Sequence, residues 1–135
     1  MYERILVALK WDPSDEAVVE HAGSLALLSG GHVTLAHVVH SHSRDQSAYL
    51  EERALTYLSE QTERLAAVGV QATARVVVGE PADGITTLAR KLKADLIVMA
   101  THGHSEMRHV LVGSVTEDVV RQGDTPVLLV RPKAF

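Results

Sequence analysis

The chain has 135 residues, 46% of them hydrophobic and 22% charged, with 17 acidic against 13 basic side chains and a formal net charge of −4. That length suits one domain, residues 1–135, with a core of its own and no room for a separate catalytic domain. The acidic balance, with no run of Lys or Arg, argues against a nucleic-acid or anionic-membrane partner, because such surfaces need a concentrated basic footprint. Cysteine is absent, which removes disulfide and thiol chemistry and fixes no compartment.

Ile5 to Leu9 is a short, continuous apolar run bounded by charges. It reads as a strand covered on both faces, as in a parallel sheet. It is too short for a signal peptide or a membrane span, so a cytoplasmic protein with no membrane segment is expected. A polar turn, Lys10-Trp-Asp-Pro-Ser-Asp15, follows. Ala17, Val18, His21, Ala22, Leu25, Ala26 and Leu28 then recur at three- and four-residue steps, and Gly30-Gly31 stops that helix.

Val33 to Val39 is a second strand and His40 to Gln46 a polar loop. Leu50, Ala54, Leu58, Leu65 and Val68 mark a long amphipathic helix ending at Gly69. Ala74 to Val78 is a third strand. Pro81 sits near the next helix start, where its missing N–H is harmless, and Ile85, Leu88, Ala89 and Leu92 give that helix its apolar face. Leu96 to Ala100 is a fourth strand. A helix from about Ser114 to Arg121, a break at Gly123-Asp-Thr-Pro126 and a fifth strand, Val127 to Val130, complete the chain.

Strict alternation of strand and helix implies right-handed crossovers and an open, twisted parallel sheet with helices on both faces. Ligands of such sheets sit beyond the carboxyl ends of the strands, where the winding direction reverses. If strands one and four are neighbours across that reversal, the Lys10–Asp15 and Ala100–Ser114 loops face one crevice. Gly103 and Gly113 lack a Cβ and let backbone N–H groups approach a ligand. Ser114 stands at an N-cap position, where free N–H groups favour an anion. The spacing therefore marks an anion-holding loop.

Other chemistry is weaker in the sequence. His37, His40 and His42, and His102, His104 and His109, cluster without a Cys or a helical zinc motif, so no metal site is expected. No Gly-x-Ser-x-Gly elbow surrounds Ser114, and its capping role explains it. Asp12 and Asp15 read as turn formers or caps. Trp11, the single tryptophan, either stacks on a base or covers the end of the first strand. Arg108 and His109 fall in the same loop of the sequence and are candidates to meet phosphates.

The blocks Ile5-Leu-Val-Ala-Leu, Leu35-Ala-His-Val-Val, Val78-Gly-Glu-Pro81, Asp95-Leu-Ile-Val-Met-Ala-Thr-His-Gly103, Gly113-Ser114 and Thr125-Pro-Val-Leu-Leu-Val130 together resemble the universal stress protein family over nearly the whole chain. The resemblance implies a Rossmann-like, adenine nucleotide alpha hydrolase-like sheet of strand order 3-2-1-4-5. It also implies an ATP-binding domain for sensing or signalling in the stress response, with AMP or ADP as other ligands, magnesium as a companion ion and at most slow hydrolysis. Ala8, Leu9, Val38, Met99 and Ala100 would border base and sugar, although the apolar ones are equally strand residues. Gly103, Gly113, Ser114 and Val115 would hold the phosphates.

Two positions depart from the family pattern. Ala100 stands where nucleotide-binding members carry the first loop glycine. Lys10-Trp-Asp-Pro-Ser14 replaces an Asp followed by a small turn, so either Asp12 supplies the nucleoside-contacting carboxylate or Lys10 lines the pocket and favours phosphate charge. A fifth strand at a sheet edge would leave backbone groups unpaired, and the resemblance likewise implies a homodimer through Val127 to Val130. The competing expectation is a dimeric interaction scaffold whose nucleotide pocket has been lost.

Overall fold

The computed structural model describes residues 1–40, 43–101 and 114–132. Five strands and four helices alternate along it: β1 (Arg4–Ala8), α1 (Asp15–Ser29), β2 (His32–Val39), α2 (Arg44–Ala67), β3 (Ala72–Val78), α3 (Pro81–Leu92), β4 (Leu96–Ala100), α4 (Ser114–Gln122) and β5 (Val127–Val130). All four strand pairings are parallel, in the order β3-β2-β1-β4-β5. The chain winds outward from β1 through β2 to β3, then returns to the other side of β1. The winding therefore reverses between β1 and β4.

The two-residue period of the strands divides the core into two layers. Ile5, Val7, Val33, Leu35 and Val98 pack under α1 and α2 through Val18, Ala22, Leu58 and Leu65. Leu6, Ala8, Ala36, Ile97 and Met99 pack under α3 and α4 through Ile85, Leu88, Ala89 and Val119. Because both faces are covered, β4 and all of β1 after Arg4 read as unbroken apolar runs instead of alternating ones, and β2 is interrupted only by Thr34 and His37 after its first residue. Each fully buried Leu or Val contributes about 2 kcal/mol by leaving water.

Several element edges differ from the sequence expectation. The helix α2 begins at Arg44, inside the expected loop, because the Ser43 hydroxyl accepts a hydrogen bond from the Gln46 N–H at 3.1 Å and so caps it. Leu28 and Val68 are not core residues: they are 87% and 59% exposed. The buried face of α1 runs through Val18, Val19, Ala22 and Ala26, and Leu28 points away from it. Val68 is the residue that caps α2, one position past its last turn. Gly31 is needed because a Cβ there would stand 2.2 Å from the Tyr2 carbonyl oxygen.

Candidate functional site

A cavity of about 350 Å³ opens at the carboxyl ends of β1, β2 and β4, on the α3/α4 face of the sheet. Ala8, Leu9 and Lys10 form one wall, Ala36, His37 and Val38 a second, Met99 and Ala100 a third. Pro81 and Ile85 of α3 and Ser114, Val115 and Thr116 of α4 close the remaining sides. The position follows from topology: β1 and β4 diverge to helices on opposite faces at the winding reversal, which leaves a gap between them among the described residues.

The chain thus brings together Ala8, Leu9, Lys10, Val38, Met99, Ala100, Ser114 and Val115, all named from the sequence. Gly103 and Gly113, with Arg108, His109, His42, His102 and His104, lie outside the described residues. Asp12 is not among the lining residues. Its carboxylate accepts from the Ser14 N–H at 2.8 Å and from the Ser14 hydroxyl, which makes it the closing group of its own turn. Of the two alternatives for this loop, Lys10 is the residue on the pocket wall.

Lys10 is held there from both ends. Its Nζ donates to the Thr101 carbonyl at 3.4 Å, crossing from β1 to β4 over the mouth of the cavity. Its backbone N–H donates to Asp15 Oδ1 at 2.9 Å. Ser114 is the first residue of α4, so the free N–H groups of that helix start face the cavity and give it a positive end. Lys10 and the α4 start supply positive potential, and Val38, Met99, Pro81 and Ile85 supply apolar surface. That combination fits a flat apolar ring carrying an anionic tail.

A group whose members the sequence did not connect supports the β1–α1 loop from behind. Asp15, 2% exposed, accepts three hydrogen bonds: Lys10 N–H at 2.9 Å, Trp11 N–H at 2.8 Å and the Tyr57 hydroxyl at 2.7 Å. Burial pushes its carboxyl pKa up, against the lowering effect of those three donors. The Tyr57 hydroxyl is pushed well above its ordinary value, first by burial and then by the Asp15 carboxylate it bonds.

Trp11 occupies a left-handed backbone conformation (φ 62°), which is strained for a bulky residue. The carboxylate of Asp15 stabilises that turn by taking two successive N–H groups. The Trp11 ring stacks on Tyr57 (centroids 5.7 Å apart, planes 20°) and meets His37 edge-on at 5.6 Å. It covers the end of β1 on the α2 side and is not part of the cavity wall. His37 Nδ1 donates to the Leu9 carbonyl at 2.9 Å and completes this supporting layer. The sequence offered Asp15 as a turn former or cap and Trp11 as a cover for the end of the first strand, but nothing that joins either to Tyr57.

Among the described residues no group of three or more His, Asp or Glu side chains is arranged to hold a metal ion. No described helix is long and apolar enough to cross a membrane.

A doubly wound parallel α/β domain with a mixed apolar and cationic crevice at its winding reversal is the class that fold and cavity define. The model of the universal stress protein family matches residues 1–131, and the chain belongs to that family. It is 33% identical to a universal stress protein of Thermus aquaticus, over 97% of this chain and all of that one. It is 26% identical to the universal stress protein MJ0577 of Methanocaldococcus jannaschii, over 98% and 97%. The solved structure of MJ0577 superposes with a TM-score of 0.88, covering 100% of this chain and 99% of that one. A universal stress protein in complex with cAMP superposes with a TM-score of 0.80 at 29% identity, covering 98% and 99%. One from Archaeoglobus fulgidus in complex with dAMP does so at 0.73 and 25% identity, covering 96% and 98%.

Proposed function

We propose that the cavity binds an adenine nucleotide, ATP in the first instance with AMP or ADP as other occupants, and that the domain uses this binding in stress sensing or signalling. The observation that carries the proposal is the meeting of apolar walls, Lys10 and the start of α4 in one crevice at the β1/β4 reversal. Relatives of the same fold hold cAMP and dAMP, which supports an adenine ligand. The base lies between Val38 and Met99, the ribose beside Ala8, Leu9 and Ala100. The phosphates reach Ser114, Val115 and the Gly103 and Gly113 backbone, with Lys10 and, when present, magnesium offsetting their charge.

In this proposal binding serves sensing or signalling, and any hydrolysis is slow. β5 is the last strand of the sheet on its side and its outer edge has no described partner strand, so a second copy pairs there through Val127 to Val130. In this proposal the protein is a homodimer that acts in the cytoplasm.

The test is calorimetric titration of nucleotide-stripped protein with ATP, with and without magnesium, on wild type, Val115→Glu and Gly113→Val. Val115 is 36% exposed in the first turn of α4, where a carboxylate suits the helix dipole and repels phosphate. Micromolar binding that weakens at least about tenfold in Val115→Glu and disappears in Gly113→Val is expected. Absence of binding to a folded wild-type protein would favour the scaffold instead, the reading in which the Ala100 and Lys10 departures mark a lost pocket.

A further inference from the structure

Lys10 is kept on the cavity wall by a short chain of contacts that begins on α2, outside the cavity. Its side chain is exposed, and the hydrogen bond that ties it to the rim, from Nζ to the Thr101 carbonyl, is long at 3.4 Å. A bond of that length restrains a flexible four-carbon stem only weakly. Where the ammonium stands is therefore set by the backbone beneath it. Asp15 fixes that backbone: Oδ1 accepts the Lys10 N–H at 2.9 Å, and Oδ2 accepts the Trp11 N–H at 2.8 Å.

Trp11 has φ 62°, a conformation that a bulky residue keeps only where its surroundings hold it. Tyr57 holds it twice. Its hydroxyl donates to Asp15 Oδ2 at 2.7 Å, the same oxygen that takes the Trp11 N–H, and its ring stacks on the indole with centroids 5.7 Å apart. Tyr57 follows the buried Ala54 by three positions on α2 and so shares the inward side of that helix. It does not line the cavity. Asp15 is 2% exposed, and a carboxylate so deeply buried keeps its charge only with its donors in place. Loss of the Tyr57 hydroxyl favours an arrangement in which Asp15 turns to water and releases the Lys10 and Trp11 N–H groups.

We infer that Tyr57 is a positioning residue of the cavity, one that acts through Asp15 to hold the Lys10 ammonium at the rim and so sets a preference for phosphate-bearing over uncharged nucleosides, an inference that rests on the reading of the cavity as a nucleotide site. The apolar surface offered to the base, at Val38, Ile85 and Met99, comes from β2, α3 and β4. Neither the Tyr57 hydroxyl nor Asp15 touches it, so affinity for the base does not pass through α2. Charge recognition does.

The experiment is a pair of amide NMR titrations, with ATP and with adenosine, which read millimolar as well as micromolar affinities, on wild type, Tyr57→Phe, Lys10→Met and the double variant. Tyr57→Phe keeps the ring on Trp11 and removes only the hydroxyl. ATP affinity is expected to fall about fivefold in Tyr57→Phe, the usual loss for one hydrogen bond, and at least as far in Lys10→Met. Adenosine affinity stays within about twofold of wild type in both, and the double variant loses no more ATP affinity than Lys10→Met alone, because the two residues act in series. The Lys10 and Trp11 amide signals move in Tyr57→Phe before any ligand is added. A merely structural role for Tyr57 would weaken ATP and adenosine alike. Equal losses for the two ligands, an unchanged ATP affinity in Tyr57→Phe or in Lys10→Met, or additive losses in the double variant would overturn the inference and leave the nucleotide reading of the cavity standing. Wild-type protein that binds neither ligand would overturn both.

Discussion

Replacing Asp15 with Ala tests whether one buried carboxylate organises the cavity loop. The substitution removes the acceptor of three hydrogen bonds, from Lys10 N–H, Trp11 N–H and the Tyr57 hydroxyl. At about 1.5 kcal/mol for each bond to a charged acceptor, the gross loss is roughly 4.5 kcal/mol. Relief from holding a carboxylate out of water offsets part of this, leaving a net destabilisation of about 3 kcal/mol. Urea unfolding would show the midpoint falling by about 1.5 M at a slope of about 2 kcal/mol/M, and thermal unfolding a loss of about 10 °C. With Lys10 and Trp11 released, the strained turn at Trp11 relaxes and Lys10 leaves the cavity rim, so ATP affinity falls together with stability. A loss below about 1 kcal/mol would refute the reasoning, since bonds of such small net worth could not hold Trp11 at positive φ.

The same pair gives pH signatures. The raised pKa of Asp15 means the folded state holds its proton to higher pH than the unfolded chain, so its contribution grows as pH falls from neutral towards the carboxylate range; the stability gap between wild type and Asp15→Ala, measured by urea unfolding at pH 7 and pH 5, should widen at pH 5. The raised pKa of Tyr57 means the unfolded chain loses that proton first, so stability falls as pH rises through and above 10, and Tyr57→Phe should flatten the decline. Leu58→Ala, at a fully buried position on the inner face of α2, should cost about 3 kcal/mol in urea unfolding. Gly31→Ala should cost about 2 kcal/mol because its Cβ meets the Tyr2 carbonyl oxygen at 2.2 Å. Gly30→Ala has open space and a positive φ of 74°, so it should cost only about 1 kcal/mol.

Alternation and period determined the architecture from the sequence alone. The apolar runs at Ile5, Val33 and Leu96 are legible because burial on both faces leaves few polar positions in a central parallel strand, Thr34 and His37 of β2 being the exceptions past its first residue. Five such runs separated by helices leave few topologies once right-handed crossovers are required. Eight of the residues that line the cavity were named from the sequence, most of them through the family resemblance, while the position of a crevice at strand ends followed from the fold class alone.

Tertiary structure alone decided what depends on contacts between distant positions. Tyr57 lies 42 residues from Asp15, and no local pattern joins them, so the support of the Lys10 turn could not be seen in the chain. The same holds for Trp11, whose ring was assigned by its neighbours Tyr57 and His37 and not by its place beside a crevice. Asp12 or Lys10 as the cavity residue was open in sequence because one residue of loop geometry sends a side chain to the other side. His32 and Thr73, hydrogen-bonded at 2.7 Å, carry no motif, being single polar residues in two separate strands. Only the register of the sheet sets them on one face, since pairing across strands fixes which side chains meet and sequence spacing does not.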